Sequence, residues 1–198
     1  METEYFSGLE RVVTFEARPR HRPAAIEALI DDARHRAKAF APRGGRISSL
    51  VSSDPALAHA ALATVAERWP PGGRRFCEWG SGFGAVACIA QLLGFDACGI
   101  ELAPELVAVS RRLSADHHLD VVFHEGSYLP PGSHERCVDR AALDAGPGFS
   151  ALDFDLVYVY PWPAERDVVA YLFREFARSG THLLVHHGGA RFELLRVP

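Results

Sequence analysis

The sharpest chemistry in this chain sits in seven consecutive residues, Glu78-Trp79-Gly80-Ser81-Gly82-Phe83-Gly84. They leave an apolar run, Arg75-Phe76-Cys77-Glu78-Trp79, and enter a helical pattern from Phe83 to Leu93. That context makes them a strand–loop–helix turn. Glycines let the backbone turn sharply and let a ligand approach with no side chain in the way. The helix behind them offers free N–H groups and positive potential. Gly80-Ser81-Gly82-Phe83-Gly84-Ala85 also satisfies the loop pattern of dinucleotide enzymes. Glu78 argues against that ligand, because a carboxylate two residues before the first glycine repels a pyrophosphate. It suits a ligand that carries an ammonium or a sulfonium. A second acid, Glu101, ends the run Ala97-Cys98-Gly99-Ile100-Glu101, one strand–helix–strand unit further on.

An acid followed by Gly-x-Gly-x-Gly resembles the class I S-adenosylmethionine-dependent methyltransferases, and the resemblance covers residues 54–198. It implies S-adenosyl-L-methionine as cofactor, held by Glu78, Gly80, Ser81, Gly82 and Gly84 in the loop. It implies that Glu101 accepts hydrogen bonds from both ribose hydroxyls and that Leu102 packs on the adenine. Ser127 and Tyr128 would lie beside the same ring, Ser127 standing where the family often places an Asp. Tyr160-Pro161-Trp162-Pro163 follows the fourth strand, where the family carries its acceptor motif. Members that methylate base amines have an Asn or Asp there, two prolines and an aromatic. Here Tyr160 takes the first place and Trp162 separates the prolines, so the resemblance points to a small-molecule or protein acceptor, with nucleic acid disfavoured.

Tyr160, Trp162 and His186 are the candidate catalytic residues. Tyr160 offers a hydroxyl, Trp162 a flat face for a ring or a cation, and His186 an imidazole that titrates near neutral pH. The competing reading makes Tyr160 and Trp162 part of a rigid turn that packs on the core. It makes His186 and His187 one core-facing and one solvent-facing residue. Asp153 and Asp155 precede or begin the fourth strand, the wrong end of a parallel sheet for chemistry, so no catalytic metal is expected. Three other functions remain open: a nucleic-acid methyltransferase, a cofactor-binding module without catalysis, and a nicotinamide-dependent oxidoreductase. The last fits Glu78 poorly.

Elements that alternate strand, helix, strand, helix must position these residues. Strands are expected at 75–79, 97–101, 121–123, 154–160 and 181–186, with helices between them and a long loop over 126–150. This pattern predicts a Rossmann-like, doubly wound α/β fold with a mostly parallel sheet. Ligands then bind at the carboxyl ends of the strands, where strand order reverses. Gly188-Gly189 predicts a two-residue turn, after which Phe192 to Val197 returns antiparallel to the fifth strand. Numbering within this half, the order is 3-2-1-4-5-6, with the last strand an exposed edge.

Residues 1–53 read as a helical segment packed over the acceptor site, with Ile26, Leu29, Ile30, Ala33 and Ala37 on one helical face, although Val12-Val13-Thr14-Phe15 also fits a short strand. Residues 54–198 form the core, and the whole is one globular domain, as 198 residues suggest. Hydrophobic residues are 48% and charged residues 23%, an ordinary globular composition. The net charge of −4 argues against a chain built as a nucleic-acid binder, although residues 18–46 are locally basic. Cys77, Cys88, Cys98 and Cys137 form no C-x-x-C. The start, Met1-Glu2-Thr3-Glu4-Tyr5, lacks a signal-peptide core, and no apolar run approaches a membrane span. A cytoplasmic protein is expected; the sequence leaves its oligomeric state open.

Overall fold

A computed structural model describes residues 6–40, 52–128 and 153–198. The expected helix stop at Pro42-Arg43-Gly44-Gly45, a short helix near 138–143, Cys137 and most of the 126–150 loop lie outside them.

In chain order the elements are β1 (Glu10–Glu16), α1 (Ala24–Ala39), α2 (Pro55–Arg68), β2 (Arg75–Trp79), α3 (Ala85–Leu92), β3 (Asp96–Glu101) and α4 (Pro104–Asp116). They continue with β4 (Val122–Glu125), β5 (Leu156–Val159), a 3₁₀ turn (Pro163–Glu165), α5 (Arg166–Phe176), β6 (His182–His186) and β7 (Arg191–Arg196). Seven strands form one sheet in the order β1-β7-β6-β5-β2-β3-β4. β4, β3, β2, β5 and β6 are parallel; β7 runs antiparallel to both of its neighbours.

The apolar pattern explains the layers. Every residue of β5, Leu-Val-Tyr-Val, is buried, as a central parallel strand covered on both faces demands. Phe76, Tyr158, Leu184 and Phe192 face one side, where Leu29, Leu62, Ile89 and Leu113 bring in α1 to α4. Cys77, Val157, Leu183 and Leu195 face the other, where Val169 and Phe173 of α5 cover them. α2 begins with Asp54, whose Oδ1 accepts the Ala56 N–H at 2.8 Å, and with Pro55 in its first turn. Strand order reverses between β2 and β5, which puts the expected ligand crevice at the carboxyl ends of these two strands.

Three expectations need correction. The last strand is not the sheet edge, and the N-terminal segment is not purely helical, because β1 pairs along β7. Phe15 lies opposite Phe192 and stacks on it at 5.9 Å, and Val13 lies opposite Leu194. β7 buries Phe192, Leu194 and Leu195, so an open edge there would strip water from a strand with unpaired backbone groups. β1 spans seven residues and takes in the run Val12 to Phe15; a bulge between Arg11 and Val13 shifts its register on β7. The hairpin between β6 and β7 also differs in length. Both Gly188 (φ +95°) and Gly189 (φ +56°) are left-handed as expected. The loop nevertheless holds three residues, Gly188, Gly189 and Ala190, closed by His187 N–H donating to the Arg191 carbonyl at 2.9 Å.

Candidate functional site

The glycine loop is fixed from below by backbone bonds. Gly80 N–H and Ser81 N–H both donate to the Ile100 carbonyl, at 3.0 and 2.8 Å, which seats the loop on the end of β3. Gly80, Gly82 and Gly84 all have positive φ. At Gly84 (φ +77°) a Cβ would come within 2.5 Å of Ser110 Cβ and 2.6 Å of Phe123 Cζ. Glycine there lets α4 and β4 close on the loop, apart from any ligand role.

Glu101 clamps this loop. Its Oε2 accepts the Gly82 N–H and its Oε1 accepts the Ala103 N–H, each at 2.8 Å. Each carboxylate oxygen can accept a second bond, and the residue is only half-buried. Leu102 beside it is 56% exposed, an apolar side chain with open surface at the crevice. Ser81 Oγ and Trp79 Nε1 are buried and have no hydrogen-bond partner among the described residues. Together the glycine cradle, the open acceptor capacity of Glu101, the bare face of Leu102 and the orphaned Ser81 hydroxyl fit a nucleoside ligand.

Glu78 has a different place. It is 5% exposed, and its Oε2 accepts the N–H of Ala87 in the first turn of α3 at 2.9 Å. Burial pushes its carboxyl well above the usual range, against the Ala87 bond, and nearby Glu101 adds to the rise. It ties strand to helix beneath the loop. Ser127, half-buried, follows β4. Tyr128 stacks on Trp79 with ring centroids 5.1 Å apart and planes 12° from parallel. Its hydroxyl donates to Glu165 Oε2 at 3.0 Å, so the chain after β4 reaches the 3₁₀ turn after β5.

On the other side of the crevice Tyr160 is half-buried and Trp162 is 39% exposed. The Tyr160 ring packs 4.3 Å from that of His186, and Phe192 stacks on the imidazole at 4.4 Å with planes 8° apart. His186 is 3% exposed; burial lowers its pKa, against a raising contribution from the Gly189 carbonyl. His187 is enclosed as well, its Nε2 bonded to Glu193 at 3.0 Å, so the expected solvent-facing member of the pair does not exist. Burial tends to raise the Glu193 carboxyl, yet bonds from His187 and Arg11 outweigh it and hold the group below its usual value. Ser53 and Tyr158, which the sequence reading did not single out, bond to each other and to His186. No local pattern announces them: 105 residues separate Ser53 from Tyr158.

Asp153 and Asp155 sit at the amino end of the sheet in ion pairs with Arg75 and Arg178. Among the described residues no group of three His, Cys, Asp or Glu is arranged to hold a metal ion, and no helix is long and apolar enough to cross a membrane. Among the described arginines of the N-terminal segment, Arg20 pairs with Glu67, Arg22 with Glu27, Arg34 with Asp54, and Arg36 with Asp32 and Asp116.

No protein-family model and no curated protein matches the chain. Solved structures do match in fold. An RNA methyltransferase from Salinibacter ruber, in complex with S-adenosyl-L-homocysteine, aligns with a TM-score of 0.55 at 17% identity over 75% of this chain and 94% of its own. The O-methyltransferase TomG from Streptomyces achromogenes, in complex with SAM, aligns with a TM-score of 0.52 at 16% identity over 83% of this chain and 66% of its own. The chain has the Rossmann-like α/β fold of class I methyltransferases.

Proposed function

We propose that this protein is an S-adenosyl-L-methionine-dependent methyltransferase acting on a small molecule or a protein side chain. The observation that carries the reading is the Glu101 clamp. One carboxylate fixes the glycine loop through Gly82 and the start of the next turn through Ala103, and keeps acceptor capacity at the mouth of the crevice. A pair of vicinal ribose hydroxyls would satisfy that capacity. Gly80, Ser81, Gly82 and Gly84 would cradle the rest of the nucleoside side, Leu102 would cover the adenine, and Ser127 and Tyr128 would close around it. Glu78 would act from below by holding the loop to α3. The cofactor supplies an electrophilic methyl on a cationic sulfur; the protein has to orient the acceptor, exclude water and take up a proton.

Tyr160 and Trp162 follow β5 at the crevice and would line the acceptor side. The exposed Trp162 indole offers a face for an apolar or aromatic acceptor. The ion pairing of Arg20, Arg22, Arg34 and Arg36 disfavours a nucleic-acid platform. The described thiols Cys77, Cys88 and Cys98 are free, in keeping with a cytoplasmic protein.

Calorimetric titration tests the reading. The protein should bind S-adenosylhomocysteine at one site per chain and should not bind NADH; a methyl-transfer screen over hydroxyl, amine, thiol and carboxyl acceptors then identifies the substrate. Binding of NADH without S-adenosylhomocysteine would overturn it.

A further inference from the structure

Three polar side chains from distant parts of the chain meet at the carboxyl ends of β5 and β6. Ser53 Oγ lies 2.7 Å from Tyr158 Oη and 3.2 Å from His186 Nδ1, and Tyr158 Oη lies 3.3 Å from the same nitrogen. The other ring nitrogen, Nε2, lies 2.9 Å from the Gly189 carbonyl oxygen. A carbonyl only accepts, so Nε2 carries the proton and Nδ1 presents a bare lone pair to the two hydroxyls. Tyr160 and Phe192 both pack on the imidazole, with ring centroids 4.3 and 4.4 Å away.

Burial decides which end of this chain is open. Tyr158 and His186 are 1% and 3% exposed, whereas Ser53 is half-buried and immediately precedes the N-cap of α2. Desolvation also pushes the Tyr158 phenol up, so it stays a donor and does not compete as a base. The charged and titratable groups around the imidazole are Asp54 beside Ser53, Tyr160 over the ring and His187 next in the chain, with Glu78 facing Tyr158.

Resting on the methyltransferase reading above, we propose that Ser53, Tyr158 and His186 form a proton relay. Ser53 Oγ is its substrate-facing end, and the methyl acceptor is a hydroxyl group. The step balances. The acceptor's O–H bond breaks as an oxygen electron pair takes the methyl. Ser53 Oγ receives that proton and passes its own to His186 Nδ1. The electron pair of the broken carbon–sulfur bond stays on sulfur, and the positive charge ends on the imidazolium, whose Nε2–H remains on Gly189. A hydroxyl is the acceptor that needs such a device. A thiol ionises near pH 8.5 unaided, and a neutral amine attacks through its lone pair before it loses a proton. Ser53 is thus the catalytic residue of the relay; His186 and Tyr158 act through it.

A serine hydroxyl held on a bare imidazole nitrogen is a nucleophile, which gives a test that needs no known substrate. Diisopropyl fluorophosphate should modify Ser53, identified by peptide mass spectrometry. The rate should rise with deprotonation of the imidazole, with its midpoint below the ordinary histidine value of about 6.5. His186→Asn should slow labelling at least ten-fold, and Ser53→Ala should abolish it at this site. Labelling in the wild-type protein that does not follow a single ionisation in this range overturns the relay even if His186→Asn fails to fold. So does labelling at an unchanged rate in a folded His186→Asn protein, or absence of labelling at Ser53. S-adenosylhomocysteine titration of the same samples keeps the two claims apart. Loss of that binding in the wild type sinks the methyltransferase reading, whereas intact binding with an inert Ser53 sinks only the relay. In the acceptor screen, products should come from hydroxyl compounds. Ser53→Ala should lower kcat at least ten-fold with KM little changed; transfer confined to amines would contradict the assignment.

Discussion

The two halves of the crevice are built on different principles. On the β2–β3–β4 side the geometry is set by the backbone: three left-handed glycines, two N–H groups on the Ile100 carbonyl, and a carboxylate bridging Gly82 and Ala103. These parts are close in sequence, and each is dictated by steric or hydrogen-bonding rules. On the β5–β6–β7 side the geometry is set by side chains from remote segments: Ser53 before α2, Tyr158 in β5, and His186 at the end of β6. The first half is a rigid cradle, and the second is a polar cluster sunk in aromatic packing. A cradle should be sensitive to any added atom, whereas a cluster should be sensitive to lost function with little lost fold.

The largest expected effect breaks the cradle. Gly84→Val forces a left-handed branched residue into a gap that a single Cβ already overfills. Strain plus overpacking should cost about 2–5 kcal/mol. Urea unfolding and S-adenosylhomocysteine titration should both collapse. A stability within 1 kcal/mol of wild type would mean that the loop is far looser than its contacts suggest.

Next comes a change that leaves the fold but removes the ligand end of the cradle. Glu101→Ala should weaken S-adenosylhomocysteine roughly ten-fold or more, the scale of a lost charge-assisted hydrogen bond. His186→Asn, on the other side, should leave that affinity within about two-fold. Equal losses from both would erase the division between the halves.

A smaller effect separates the halves by pH. Burial lowers the pKa of His59, His182 and His186, so the unfolded chain takes up protons before the folded one. Stability should therefore be full above pH of about 6.5 and decline as pH falls below it. Glu193, held low by His187 and Arg11, adds a loss only further down, as pH passes through its depressed folded value. His59 Nδ1 has no partner among the described residues, and urea midpoints against pH should show the histidine limb shrink in His59→Leu. A flat profile from pH 7 to 5 would contradict it.

The smallest effect is a control on glycine itself. Gly189 has φ +56° but open space around its missing Cβ. Gly189→Ala should cost only about 1–2 kcal/mol, the left-handed penalty alone. The gap between it and Gly84→Val measures how much of the cradle is packing.

Much of this asymmetry was legible in the sequence. Strand order, the glycine loop and the position of Glu101 follow from hydrophobic runs and from glycines at a strand–helix turn, because these are local rules. The strand character of Val12 to Phe15 was legible, but its place beside β7 was not, because a bulged run of a few apolar residues carries no long-range pairing signal. The inward seat of Glu78 was hidden because an acid at a strand end reads the same whether it meets a ligand or the N–H of Ala87. Ser53 and Tyr158 left no trace at all: their meaning arises only when the sheet places β5 beside β6 and α2 begins above them.

The central claim is that Glu101 holds the ribose of S-adenosylmethionine over the glycine loop. A crystal structure of the protein soaked with S-adenosylhomocysteine tests it most directly. The account predicts both ribose hydroxyls within about 2.5–3.0 Å of the Glu101 carboxylate, the adenine against Leu102, and the Gly82 N–H bond to Glu101 retained. Ligand bound elsewhere, or ribose hydroxyls turned away from Glu101, would contradict it.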